Sequence, residues 1–321
     1  NCKLALSTAE PGFSFNFFDK ENETLRNACC EVTSEDDSDV CNLGSINLGR
    51  IGDLNEFNDV VGLATKFLLL GTLKAELPYE KVYKVREKNR RLGLGLMGIH
   101  EWLAARNQAY EVTPELHRWL QVYKSTSDAT AKAFADSLGV SRPVARRAIA
   151  PTGSIGILAG TSTGIEPIFA VAYKRRYLKG KAWHYQYVVD SAAQELINLY
   201  GVDPTKIESA LDLSTDYERR IKFQADIQDY VDMAISSTIN LPSWGTKENN
   251  SEKVEEFAGV LASYAHRLRG FTCYPDGCRG GQPLSSVPYS EAVEKLGEEF
   301  EESVQTHDVC DITNKGGSCG V

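Results

Sequence analysis

Apolar residues recur at three- and four-residue spacing over residues 53–73 and 113–138, and much shorter apolar or β-branched runs lie outside these stretches. The long stretches predict helices and the short ones strands. Gly71, near the end of the first stretch, is expected to cap it. The second stretch has sharper boundaries. Thr113-Pro114-Glu115 supplies a hydroxyl cap, a proline at the first helical position and an acid in the first turn, and Leu138-Gly139 supplies a stop. The short runs are LGLGLMG, RAIAP, PIFAVAY, SSTINLP and RGFTCYP. Their alternation with helices predicts an α/β fold with a largely parallel sheet or barrel. Residues 289–305 are Glu-rich and read as a late helix, before a Gly/Ser/Asn tail expected to be mobile.

With 321 residues and 42% hydrophobic content, the chain can bury a large core. A net charge of −9 gives no general attraction to polyanions, so neither nucleic acid nor a membrane surface is an expected partner. No apolar run approaches the ~20 residues that span a bilayer, and no signal-like segment opens the sequence, so the expected location is the cytoplasm. The eight cysteines, at positions 2, 29, 30, 41, 273, 278, 310 and 319, are too dilute for a disulfide scaffold and invite a redox or catalytic reading. Asn1-Cys2 lies in what reads as a helix, so a preceding segment, on this polypeptide or another, is expected.

Several motifs carry candidate chemistry. GLGLMG (Gly93, Gly95, Gly98) matches a dinucleotide-binding pattern, but no second strand with a terminal acid follows it. Its glycines read better as places where backbone or a helix approaches a crowded strand. In APTGSIG a strand-like run ends and Thr152, Gly153, Ser154 and Ile155 offer hydroxyls and successive N–H groups at a helix start, which suits a phosphate. Residues 31–39 are acidic and read as a solvated loop, and the cations Arg175 and Arg176 of YKRRY read as a solvated face. Cys310 and Cys319 lack the spacing and the fourth ligand of a zinc site and suit disulfide exchange on a mobile arm. Cys273 and Cys278 flank an expected turn and read as structural, and His100 has no partner at metal-ligand spacing. In NACCE, an extended backbone would turn Asn27, Cys29 and Glu31 to one side and Cys30 to the other. An amide, a thiol and a carboxylate converging on one point is costly as core filling.

These segments, taken in order, resemble the catalytic subunit of ribonucleotide reductase. NACCE is similar to that family's NxCxE finger-loop motif, CNLGSINL to its redox-cysteine segment and RRLGLGLMG to one of its strands. APTGSIG with TSTGIEP is similar to its phosphate loop, and SSTINLP and TCYPDGCRGGQPL to its closing segments. The resemblance implies part of a ten-stranded α/β barrel over residues 1–290, with a finger loop near residues 27–41. Residues 291–321 would be a helix and a flexible redox tail. It implies that Cys29 becomes a thiyl radical acting at the ribose, that Glu31 is the base on a ribose hydroxyl and that Asn27 holds the hydroxyls. Cys41 would be one half of the reducing dithiol, Thr152, Gly153, Ser154 and Ile155 would bind substrate phosphates, and Cys310 with Cys319 would re-reduce the internal disulfide against thioredoxin or glutaredoxin.

Oxygen-dependent members relay a radical through two adjacent tyrosines, where this chain has Cys273-Tyr274, and the tail lacks a glycyl-radical segment. The resemblance therefore implies the adenosylcobalamin-dependent class, with no metal site in the protein itself. The family's N-terminal half has no counterpart here, so a second polypeptide carrying it is an expected partner, along with the ribonucleotide and a second copy in a homo-oligomer. A non-catalytic nucleotide-binding half and an oxygen-dependent subunit are the alternative readings.

Overall fold

The computed structural model describes residues 1–179, 182–278 and 284–301. In chain order the strands are β1 (Phe13–Ser14), β2 (Leu25–Arg26), β3 (Thr33–Ser34), β4 (Asn42–Asn47), β5 (Leu92–Met97), β6 (Ala172–Lys179), β7 (Ala182–Val189), β8 (Thr238–Leu241), β9 (Gly270–Pro275), β10 (Leu284–Ser286) and β11 (Glu299–Glu301). The helices are α1 (Cys2–Thr8), α2 (Leu54–Lys74), α3 (Glu80–Asn89), α4 (Ile99–Ala105), α5 (Pro114–Leu138), α6 (Gly153–Ala159), α7 (Ser191–Tyr200), α8 (Tyr217–Gln228), α9 (Val254–Tyr264) and α10 (Tyr289–Glu294).

A parallel array forms the centre. β4 pairs with β5 from Asn42↔Leu92 to Asn47↔Met97. Leu94 of β5 bridges to Arg147, and Ile149 bridges to Ile235 just ahead of β8. β8 in turn lies parallel to β9, which takes β1 antiparallel on its far side. All six residues of β5 are buried, as expected of a central parallel strand covered on both faces. Leu92, Leu94 and Leu96 join the largest core with Phe57, Val61 and Leu69 of α2 and Trp119, Leu120 and Tyr123 of α5. The α/β expectation holds; a closed ten-stranded barrel is not formed among the described residues.

The helix boundaries at Thr113 and Gly139 are as expected, with the Thr113 hydroxyl accepting from Leu116 N and Gly139 left-handed. Gly71 is different. It lies inside α2, whose end is Ala75, and a β-carbon there would sit 2.9 Å from Asn42 Nδ2, so this glycine lets the helix pack against β4. The GLGLMG glycines behave as the close-packing reading predicts. A β-carbon at Gly95 would lie 2.7 Å from Ala148 O, which the neighbouring strand could not tolerate.

One expectation fails. The Glu-rich stretch from 289 is helical only to Glu294, after which Glu299–Glu301 pairs antiparallel with β7. The chain leaves the helical conformation at Lys295, and Gly297, with φ of 80°, turns it back toward β7. The YKRRY cations lie on β6, in a four-stranded sheet ordered β10-β6-β7-β11, with Arg175 exposed as a solvated face requires and Arg176 half-buried. There Arg176 stacks on Trp183 and Arg175 donates to Gln186 Oε1. No helix among the described residues is long and apolar enough to cross a membrane.

Candidate active site

NACCE occupies the turn of the β2–β3 hairpin. The extended reading of residues 27–31 is therefore corrected. Arg26 pairs with Thr33, so residues 27–32 must reverse the chain, and a strand cannot do that. Cys30 takes φ of 67°, rare for a residue with a β-carbon, and its N–H donates to Asn27 O at 3.0 Å. The Asn27 side chain closes the loop by accepting from Val32 N–H at 3.0 Å. Cys29 stands exposed on the turn, whereas Glu31 is only 1% exposed.

The Glu31 backbone carbonyl accepts from Ala234 N–H at 2.9 Å, which joins the hairpin to the segment leading into β8. Its side-chain Oε2 is buried without a hydrogen-bond partner among the described residues. A carboxylate oxygen in that state costs several kcal/mol unless a donor arrives. The Cys29 thiol is raised above its ordinary value by partial burial and by the Glu31 carboxylate, so it stays protonated at neutral pH.

Cys41 comes next to the hairpin from another direction. It immediately precedes β4 and packs with Val32 of the hairpin around Ala145, Ala148 and Met233. Burial pushes its thiol up to about 12, with Arg91 opposing the rise and Asp39 and Glu31 adding to it. Cys29, Cys30 and Cys41 are not joined in a disulfide.

The acidic stretch between the two cysteines is not a solvated loop. Asp36 receives Lys88 Nζ at 2.8 Å and Asn89 Nδ2 at 2.8 Å, and Asp39 receives Asn89 Nδ2 at 2.8 Å and Arg91 Nε at 2.5 Å. At the other end Arg269 donates to Glu23 Oε2 at 2.7 Å, and the Thr33 hydroxyl donates to the same oxygen at 2.6 Å. Burial alone would raise the Glu23 carboxyl, and these two donors overcome it and hold it below the usual carboxylate range. Sequence reasoning missed Arg91, Asp39, Glu23 and Arg269. The complementary runs EDDSD and REKNRR were the available signal for the first two.

The phosphate-loop candidates lie where expected, at a helix start. Thr152 is buried, takes φ of 54°, and its hydroxyl accepts from Gly164 N–H at 2.8 Å. The first intrahelical bond runs from Gly156 N to Thr152 O, so the N–H groups of Gly153, Ser154 and Ile155 precede it. These residues line a cleft of about 230 Å³ with Leu43, Gly44, Ser45 and Ala150. The cleft thus borders the strand that begins beside Cys41, although Cys29 and Glu31 do not line it. His100 is packed as expected, with Nε2 2.8 Å from Glu208 O. Cys273 is a buried core residue of β9. Cys310 and Cys319 lie outside the described residues.

A family model described as ribonucleotide reductase, barrel domain, matches residues 14–132 and 141–274. The chain belongs to this family. A vitamin B12-dependent ribonucleoside-diphosphate reductase of Mycobacterium tuberculosis is 27% identical over 93% of this chain and 49% of that protein. A protein of the same name from Thermoplasma acidophilum is 27% identical over 88% of this chain and 42% of its own length. This ribonucleotide reductase barrel-domain chain therefore spans about half the length of the curated relatives it matches. Its fold is similar to that of a B12-dependent, class II ribonucleotide reductase, with a TM-score of 0.73 at 16% identity over 92% of this chain and 47% of the other. It is also similar to the class Id reductase α subunit of Actinobacillus ureae, with a TM-score of 0.63 at 18% identity over 86% of this chain and 60% of that one.

Proposed function

We propose that the chain is the C-terminal part of an adenosylcobalamin-dependent ribonucleotide reductase, completed by that enzyme's N-terminal half. The parallel array would be one half of a ten-stranded barrel and the β2–β3 hairpin its finger loop. The observation that carries the reading is the buried, unpartnered Glu31 carboxylate oxygen in the same hairpin as an exposed, protonated cysteine. The relatives named as B12-dependent diphosphate reductases support the class and favour a ribonucleoside diphosphate as substrate.

The residues present fit the cofactor. A thiol that must lose a hydrogen atom needs to be protonated and reachable by a bulky group, and Cys29 is both. Exposed Phe17, Phe18 and Leu25 precede the turn and would offer the group an apolar surface. When bound, the group would supply the one-electron oxidising equivalent that leaves the Cys29 sulfur as a radical. Cys29 would then take the hydrogen at C3′ of the ribose. Glu31 Oε2 would accept the proton of the neighbouring hydroxyl, the donor it lacks. Asn27 holds the turn through Oδ1 and would present its amide nitrogen to the ribose. Gly153, Ser154 and Ile155, with the turn held by Thr152, would bind the phosphates. Cys41 and a cysteine of the N-terminal half would deliver two electrons and close to a disulfide, which Cys310 and Cys319 would reopen against thioredoxin or glutaredoxin.

The test is reconstitution of the chain with its N-terminal half, adenosylcobalamin, a ribonucleoside diphosphate and a dithiol. Deoxynucleotide should form and should vanish in Cys29→Ser. Absence of product from the unaltered chain, or full turnover in that variant, overturns the reading.

A further inference from the structure

We propose that Arg91 is a positioning residue for Cys41: its buried guanidinium stabilises the Cys41 thiolate, so that this sulfur can leave when its disulfide is reopened. The inference rests on the reading of Cys41 as half of the reducing dithiol and adds a residue to it. Three observations converge on the pair.

The first is register. Asn42 stands opposite Leu92 in the parallel β4–β5 ladder, so Cys41 and Arg91 are facing positions one step before its start. A β-carbon at Gly93 would lie 3.0 Å from Cys41 Sγ, which puts the thiol against the position two residues beyond Arg91, on the same side of the strand. The second is burial. Arg91 is 3% exposed, deeper than most arginines, and its Nε is fixed 2.5 Å from Asp39 Oδ2, two residues before Cys41. The third is an unmatched donor. Arg91 Nη1 is buried with no hydrogen-bond partner among the described residues and is 3.6 Å from Glu23 Oε1, too long for a good bond. The Cys41 thiol makes only a 3.7 Å contact to Asn42 O. A buried donor with only a long ion-pair contact therefore belongs to the residue facing a sulfur that becomes a strong acceptor only as a thiolate.

The charged groups acting on Cys41 are Arg91, Asp39 and Glu31, and Arg91 is the one cation among them. Reopening the disulfide needs this cation. A thiolate of an external dithiol attacks the cysteine bonded to Cys41; the old S–S bond breaks, its electron pair stays on Cys41 Sγ, and a new S–S bond joins the attacker to the other cysteine. The dithiol's second sulfur then displaces that cysteine. In sum the dithiol loses two electrons and two protons, and Cys41 with its partner gains both. A poor leaving thiolate slows the first displacement, and with the Asp39 and Glu31 carboxylates acting on it Cys41 would be poor without Arg91.

The experiment follows alkylation of Cys41 by iodoacetamide across pH, read by peptide mass spectrometry, with exposed Cys29 as the internal reference. Arg91→Met should move the Cys41 profile to higher pH and slow the reaction at pH 9 by about tenfold or more. Asp39→Asn should move it the opposite way. Arg91→Lys should stay within about threefold of the unaltered chain. A merely structural role predicts that Arg91→Met and Asp39→Asn both loosen the loop and both speed alkylation, and that outcome overturns the inference. So does an unmoved profile in folded Arg91→Met, or an Arg91→Lys as slow as Arg91→Met. If Arg91→Met does not fold, the direction of Asp39→Asn and the rate of Arg91→Lys decide. Full turnover of Cys41→Ser in the reconstituted reductase would sink the redox reading of Cys41 while leaving the alkylation result standing.

Discussion

The turn bearing Cys29 and the strand start bearing Cys41 are two thiol sites a dozen residues apart, built on opposite principles. Cys29 sits on an exposed reversal, where a left-handed residue and one asparagine amide hold the loop. Cys41 is partly buried and packs with Val32 against Ala145, Ala148 and Met233, and burial pushes its thiol up to about 12. Both sulfurs stay protonated at neutral pH, Cys29 through partial burial with the Glu31 carboxylate adding to it, Cys41 mainly through burial. The contrast suits a division in which one sulfur must meet an incoming reagent and the other must be shielded until its turn. What joins them is the clamp of Glu23, Thr33 and Arg269 at one end and Asp39, Asn89 and Arg91 at the other.

The comparison breaks at its strongest point if Glu31 serves only packing. Glu31→Gln should lower turnover of the reconstituted enzyme by about 10²- to 10⁴-fold with little change in melting temperature, as loss of a positioned base does. Near-normal turnover would remove the reason for a buried carboxylate beside Cys29. Next in size is the clamp. Arg269→Met takes from Glu23 its nearest cation and leaves only the longer contacts to Lys20 and Arg91, and denaturant unfolding should register a loss of about 1–3 kcal/mol. A loss under 1 kcal/mol would mean the hairpin is held by its backbone alone. Gly93→Ala drives a methyl against Leu43 and Cys41, at 2.4 and 3.0 Å, and should cost about 1–3 kcal/mol while changing Cys41 alkylation and sparing Cys29. The smallest effect is alkaline. The Cys41 thiol is raised in the folded state from 9.0 to about 12, so its contribution is fully present below pH 9 and declines as pH rises through that window. At pH 10 the loss should be about 1 kcal/mol and should be absent in Cys41→Ser.

Local signals with a complete mechanism were legible. Thr113-Pro114 and Gly139 bound a helix because each satisfies a specific backbone requirement, and the APTGSIG helix start is read the same way. LGLGLMG was legible as a crowded strand because a glycine inside an apolar run gives up side-chain packing, and close approach of a neighbouring backbone is what compensates. The hairpin at NACCE was not. A left-handed cysteine has no sequence signature, and alternation is a valid inference only for a backbone that is in fact extended. The acidic loop was misread because its partners on α3 lie some fifty residues away, and a charge run looks solvated until its counter-charges are placed. The β6–β7 hairpin was missed for a related reason. Aromatic and basic residues occupy both of its faces, so no period of two stands out.

β4 hydrogen-bonds to β5 on one side, and among the described residues no strand covers its other side. Leu43 on that strand is exposed, and Leu63, Phe67 and Leu70 of α2 present a further apolar stripe to solvent. A bare strand edge beside oily helix surface is a template for indiscriminate strand addition. Colloidal behaviour, before any chemistry, is therefore where this chain is most exposed: held alone in solution, it should self-associate as its concentration is raised.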